Sequence, residues 1–221
     1  MNGNALGRSA VAILGLLVGF GLVWSAGCRR RTEPTAGPNN PPAKPAPAVS
    51  IGPARPGPTL DEVVATRKTW DVRFHSYIGK QAPDFKVTDL AGRTYTLSAL
   101  KGKDVLITIW ATWCPPCRAE VPDLIELRKA VPETDLAILA ISFVERNNTE
   151  QMIRAFSEQY KLNYVVAAVD SNSIPAPYSA VEAIPAAFFV GRDGTMKLAT
   201  VGPVPLADMM AILKAGPAKA L

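Results

Sequence analysis

Two cysteines with two prolines between them, Cys114 and Cys117 in ATWCPPCRAE (111–120), are the residues best suited to chemistry. Such a pair can bind a metal, staple the fold as a disulfide, or change oxidation state. One pair in a chain of 221 residues is too few for a disulfide-built scaffold. A structural zinc site needs four ligands, and the only histidine, His75, lies far upstream. The spacing therefore favours a redox-active pair and argues against a metal site.

The pair follows a predicted strand and opens a predicted helix. VLITIW (105–110) is a continuous apolar run typical of a strand buried on both faces, and residues 115–131 carry apolar side chains at helical spacing. A helix N-terminus presents unpaired N–H groups and partial positive charge, which favour a thiolate at Cys114. Pro115 and Pro116 are tolerated there because their missing donors would be unpaired anyway.

This placement predicts a division of labour between the two sulfurs. Cys114, nearer the loop, is predicted to be the exposed nucleophile, and Cys117, one turn into the helix, is predicted to be shielded. Cys114 would form a mixed disulfide with a partner, and Cys117 would then resolve it. The alternative is an inert stapling disulfide or a pair of buried thiols.

Strands and helices alternate from residue 77 to the end of the chain, and a hairpin pattern comes near the end. In the helix over 149–161, Met152, Phe156 and Tyr160 are predicted to share one face. The pattern predicts an α/β domain with a central mixed β-sheet flanked by helices. Its other predicted elements are a hairpin over 86–97, strands over 136–142 and 164–169, a hairpin over 186–201 and a helix over 205–215.

Residues 1–28 predict an export signal or membrane anchor. The run from Ser9 to Cys28 carries no charge and ends in SAGC, which resembles a bacterial lipoprotein signal with Cys28 as the lipidated residue. The run is also long enough for an uncleaved membrane helix, since about 20 residues span a bilayer. Simple secretion is a third alternative, and the arginines at 29–31 favour the cytoplasmic side. We expect a membrane-anchored protein that faces the periplasm or another extracytoplasmic space.

Two further segments precede the predicted domain. Residues 29–59 contain nine prolines and are predicted to form an extended, disordered linker of up to about 90 Å; a tail without a spacing role is the alternative. Residues 60–76 are predicted to form a short helical lead-in of open function, with Leu60, Val63 and Trp70 at helical spacing.

The charge distribution argues against a nucleic-acid partner. The net charge is +5, but from His75 onward the chain has 15 basic and 15 acidic residues. The excess therefore lies in the N-terminal segments, and the predicted folded body is neutral.

The sequence WCPPC (113–117) after a buried strand resembles the active site of the thioredoxin superfamily. More narrowly, residues 79–124 resemble the exported TlpA/ResA/CcmG-like branch, and the resemblance extends over about 77–215. It implies a thioredoxin-like fold and a membrane-anchored thiol–disulfide oxidoreductase that uses no cofactor. The peroxidases of this superfamily need a Pro-Thr-Cys pattern that the site lacks.

The resemblance also implies roles for residues around the pair. Glu120 would lie partly buried near the disulfide and assist proton transfer; the alternative is a solvated glutamate on the helix surface. Pro185 would be a cis-proline facing the cysteines, and Ile184 would pair with the substrate through its backbone; the alternative is an ordinary turn. Trp113 would shield the nucleophile and offer a flat contact surface, unless it is a core aromatic. Pro115 and Pro116 complete the predicted substrate-contacting set.

The expected reaction is reduction of disulfides in partner proteins, with a membrane thiol-reducing donor restoring the dithiol. The resemblance suggests apocytochrome c as one substrate, through cytochrome c maturation. Two alternatives stay open: a thiol oxidase or isomerase on the same fold, and a binding module that uses the thioredoxin-like surface without turnover.

Overall fold

The computed structural model describes residues 58–216. The predictions for residues 1–28, Cys28 among them, and for nearly all of 29–59 lie outside this range. Within 58–216, none of the helices has both the length and the apolar character needed to cross a membrane.

A six-stranded mixed sheet forms the centre of the fold. Its strands are β1 (Asp71–Val72), β4 (Asp104–Trp110), β5 (Leu136–Phe143), β6 (Val165–Val169), β7 (Ala186–Val190) and β8 (Met196–Val201). Their order across the sheet is β1-β8-β7-β4-β5-β6. The strands β4, β5 and β6 run parallel, whereas β7 is antiparallel to β4 and to β8. This confirms the predicted central mixed sheet.

Both faces of this sheet are covered, which explains the continuous apolar runs in its central strands. Leu106 on β4 packs with the helices on one face, and Ile107 packs with Phe188 and Tyr178 on the other. The helices are α1 (Leu60–Thr66), α2 (Pro115–Ala130), α3 (Glu150–Gln159) and α4 (Leu206–Lys214); the predicted first hairpin is β2 (Lys86–Thr88) paired with β3 (Thr94–Thr96).

The lead-in packs onto the same core as the rest of the fold. Leu60 and Val63 of α1 are buried in one cluster with α2 and α4, and β1 pairs with β8. The predicted helical spacing fails at Trp70, because α1 ends at Thr66 and the chain then turns into β1. The Trp70 indole is instead buried and donates to Asp208 of α4 over 2.7 Å. Residues 60–72 are therefore part of the folded domain.

One residue of the inward face predicted for α3 is exposed in the structure. Ile153 is fully buried with Phe156, whereas Met152 is 45% exposed. Tyr160, just beyond the helix, stacks on Phe156 with ring centroids 4.3 Å apart. The error concerns Met152 alone: Ile153, Phe156 and Tyr160 keep the i, i+3, i+7 spacing of one helical face, and Met152 lies beside that face.

Candidate active site

A disulfide joins Cys114 to Cys117 at the N-terminus of α2. Cys114 is the N-cap residue, and Pro115 and Pro116 occupy the first helical positions, as the missing donors of proline allow. The backbone N–H of Cys117 points at Cys114 Sγ over 3.2 Å. The helix end thus directs an N–H group and its partial positive charge at the sulfur where a thiolate would form.

The two sulfurs do not differ in exposure as predicted. Cys114 is only 2% exposed and Cys117 only 3%, so the expectation of an exposed Cys114 is wrong for the oxidised protein. The cause is the loop before β7, which lies over the disulfide and places the Ile184 carbonyl oxygen 3.7 Å from Cys114 Sγ. Sequence position along α2 reports nothing about that distant loop.

The loop over the disulfide contains the predicted cis-proline. The Ile184–Pro185 bond is cis, and Pro185 immediately precedes β7. The Pro185 carbonyl accepts the N–H of Gly202 over 2.8 Å, which ties the loop to the end of β8. A second cis bond, Ala176–Pro177, has no counterpart among the sequence predictions.

An exposed apolar surface lies beside the disulfide. Trp113, which immediately precedes Cys114, is 49% exposed, so it is not the core aromatic of the alternative interpretation. Pro115 and Pro116 are exposed as well. A groove of about 160 Å³ separates Trp113 from Ile184, and the carboxylates of Glu145 and Glu182 also line it. Such a surface fits contact with a protein chain better than with a small polar molecule.

Glu120 is buried, which rules out the solvated-surface alternative. Its side chain is 4% exposed, and its Oε1 accepts the backbone N–H of Val204 over 2.7 Å. Burial raises the pKa of Glu120 to about 7; the Val204 N–H opposes the rise, and the nearby Asp123 carboxylate adds to it. A carboxyl group that titrates near neutrality can exchange protons with a thiol at physiological pH.

The strand β4 also carries a carboxylate, Asp104, but this group lies away from the disulfide. Asp104 is the first residue of β4, at the opposite end of the strand from the disulfide. It forms ion pairs with Arg192 over 3.5 Å and Lys197 over 3.7 Å. Glu120, by contrast, lines a small cavity together with Cys117.

Asn148 is a site residue that the sequence analysis did not single out. It immediately precedes Thr149, the N-cap residue of α3. Asn148 is 1% exposed, and its Oδ1 accepts both the N–H and the hydroxyl of Thr112, over 3.0 and 2.8 Å. Its Nδ2 donates to Ser142 Oγ and the Phe143 carbonyl. The Asn148 amide thus links the turn before Cys114 to β5. It accepts two hydrogen bonds and donates two, which is all that an amide side chain can form.

Comparisons with known proteins agree with this geometry. Residues 78–199 match the model of the AhpC/TSA family. The chain is 38% identical over 125 residues to the thiol-disulfide oxidoreductase ResA of Bacillus cereus, covering 57% of this chain and 70% of that protein.

Two solved structures show the same fold. A thiol:disulfide interchange protein of Chlorobium tepidum superposes with a TM-score of 0.54 at 27% identity, covering 61% of this chain and 93% of that one. The pneumococcal exposed lipoprotein thioredoxin of Streptococcus pneumoniae superposes with a TM-score of 0.50 at 27% identity, covering 59% and 98%.

Proposed function

The chain belongs to the AhpC/TSA family and is a thioredoxin-like thiol–disulfide oxidoreductase, and from that premise we propose that it reduces disulfides in partner proteins. The observation that carries the proposal is the Cys114–Cys117 disulfide at the start of α2, beneath the loop of cis-Pro185. The cysteine pair and the loop predicted to contact the substrate meet there.

The proposed reaction has two exchange steps. In the reduced protein, the Cys114 thiolate attacks one sulfur of the partner's disulfide, forms a mixed disulfide and releases the other sulfur as a thiolate. The Cys117 thiolate then attacks Cys114 Sγ, which forms the internal disulfide and releases the second partner thiolate. Two electrons pass to the partner, and an upstream thiol donor returns two to the protein. The Cys117 N–H stabilises the Cys114 thiolate before and during attack.

Glu120 serves as the proposed proton acceptor for Cys117. The Cys117 thiol must lose its proton before it can attack, and an ordinary cysteine does so only near pH 8.5. A buried carboxyl group with a pKa of about 7 takes up that proton at neutral pH and later releases it.

The partner chain is proposed to lie across the cis-proline loop and the exposed surface. The Ile184 backbone beside Pro185 would pair with the partner's backbone, and Trp113, Pro115 and Pro116 would contact its side chains. The exposure of these three residues supports the assignment. Apocytochrome c with its cysteines oxidised to a disulfide is the proposed substrate, on the strength of the resemblance of residues 79–124 to the exported branch.

The redox potential of the Cys114–Cys117 pair tests the direction of the reaction. Thiol trapping in defined redox buffers should give a value near that of thioredoxin, ~−270 mV, since the protein is proposed to donate electrons. A value near ~−120 mV would identify an oxidant that introduces disulfides, and the proposed direction would be wrong. Trp113→Phe is a useful control for this redox potential, because the substitution keeps both sulfurs and the N-terminus of α2.

We also propose that the N-terminal segment tethers this domain to a membrane on its extracytoplasmic side. The support is the uncharged run before Cys28 and the likeness to a structure described as an exposed lipoprotein. Cells fed a labelled fatty acid should incorporate it into the wild-type protein but not into Cys28→Ala. Incorporation that persists in Cys28→Ala would refute lipidation at this residue, and an unlabelled variant that stays in the membrane fraction would indicate a membrane helix instead.

A further inference from the structure

Two polar side chains of β4 are buried without a hydrogen-bond partner among residues 58–216. They are the hydroxyl group of Thr108 and the indole N–H of Trp110, in side chains that are 2% and 6% exposed. A buried polar group left unpaired costs about 1–3 kcal/mol, so such groups normally pair with protein atoms or with an ordered water.

Both side chains line one small cavity beneath the disulfide. They lie two residues apart on β4 and therefore point to the same face of the sheet. The other polar residues of the cavity wall are Cys117, Glu120 and Tyr164. Its volume of about 10 Å³ is at the lower end of the roughly 10–15 Å³ that one water molecule requires, and a buried water needs two to four polar partners. The cavity meets both conditions.

We propose that this cavity binds one water molecule, held by Thr108 and Trp110, which carries the proton between Cys117 Sγ and the Glu120 carboxylate. The Trp110 N–H donates to the water oxygen, and the Thr108 hydroxyl donates to it or accepts from it. Thr108 is thereby a positioning residue, since it acts on the reaction through the water. This inference rests on the function proposed above and adds the path of its proton.

The relay belongs to the second exchange step. The water gives a proton to the Glu120 carboxylate as it takes the proton of the Cys117 thiol, so the water is unchanged. The Cys117 thiolate then attacks Cys114 Sγ; the Cys114–Cys117 bond forms, the bond from Cys114 to the partner breaks, and the partner leaves as a thiolate. The partner's second sulfur leaves with the electron pair of the broken bond, which completes the two-electron reduction of the partner's disulfide. The proton on Glu120 is later released to solvent or to that thiolate.

The other groups around Glu120 are compatible with this role. The phenol of Tyr164 faces it, and burial raises the pKa of that phenol so that it stays neutral across physiological pH. Asp123, three residues along α2, adds a carboxylate, and the Val204 N–H donates to Oε1. The carboxyl group is thus held at one oxygen by the backbone.

Nuclear magnetic resonance on the full-length oxidised protein tests the water directly. The indole N–H proton of Trp110 should show a cross-relaxation signal to a long-lived water. Thr108→Val replaces the hydroxyl by a methyl group of similar size and should reduce that signal at least several-fold, whereas Thr108→Ser should keep it. The indole of Trp70, which binds Asp208, is the internal control. A Trp110 signal absent from the wild type would refute the water site.

Kinetics test the relay. Release of a thiol from the mixed disulfide at pH 7 should slow about tenfold in Thr108→Val, since a positioned proton transfer contributes at least that much, and its dependence on pH should shift upward. Thr108→Ser keeps the hydroxyl group and should therefore have the release rate and the pH dependence of the wild type. The matched control is Thr200→Val, a buried threonine of β8 that is separated from β4 by β7 and does not line this cavity. A wild type that exchanges no disulfides would refute the proposed function; a competent wild type with an unchanged Thr108→Val profile would refute only the relay.

Discussion

Replacing Cys117 by serine should convert the protein into a trap that holds its partners on Cys114. The first exchange step needs only Cys114, whose sulfur is the cap of α2 and receives the N–H of residue 117. The second step needs the sulfur that the variant lacks. The mixed disulfide should therefore accumulate, and turnover should fall by about 10³-fold or more, as for other enzymes that lose a reacting group.

Full-length Cys117→Ser, expressed in its own cells and separated without reducing agent, should show adducts that disappear on reduction. Cys114→Ser should form none, because it lacks the attacking sulfur. The double variant reports any adduct that Cys28 forms by itself. If Cys117→Ser captures no partner under conditions in which the wild type cycles between redox states, the oxidoreductase role fails and a binding module becomes the better interpretation.

The positions of the cysteines were predictable because they depend on local rules. A strand of continuous apolar residues, an N-cap and two prolines in a first turn are written in consecutive residues from 105 to 117. The hairpins were predictable for the same reason, since the turn residues and the strand residues that flank them are adjacent in the sequence. The burial of Cys114 was not, because it depends on Ile184, which comes from another part of the chain.

The remaining errors share that physical origin. Asn148 bonds to Thr112 and Ser142, which belong to different elements, and no spacing in the sequence reports such a network. Trp70 leaves the predicted helix because β8 offers β1 an edge with which to pair. The cavity formed by Thr108 and Glu120 arises from a strand face meeting a helix face, so its polar atoms could not be matched before the fold was known.

Glu120→Gln should abolish a pH dependence of stability that the wild type shows on the acid side of neutrality. The pKa of Glu120 is about 7 in the folded protein, against 4.5 for an ordinary glutamate. Between these values the folded state binds more protons at this position than the unfolded state does. The free energy of unfolding therefore falls as pH rises. Glutamine cannot titrate, yet it keeps an oxygen for the Val204 N–H.

The expected change in the free energy of unfolding follows from the same two pKa values. Relative to Glu120→Gln, the oxidised wild type should lose about 3 kcal/mol of unfolding free energy between pH 4.5 and pH 8. Urea unfolding at a series of pH values measures this difference, and titration of other groups cancels in the comparison. Glu126→Gln is the matched control on the same helix, since that carboxylate is exposed and pairs with Lys129; its difference from the wild type should show no comparable slope.

Glu120→Gln should be more stable than the wild type and also slower in catalysis. At pH 8 the buried charge of Glu120 destabilises the wild type, so Glu120→Gln should be the more stable protein, while the release step should slow by about 10²-fold at neutral pH. That combination separates a functional carboxyl group from a structural one, whose removal would lower stability. A stability difference that stays constant from pH 4.5 to 8 would show that the pKa of Glu120 is not raised, and the carboxyl group would lose its role as proton acceptor for Cys117.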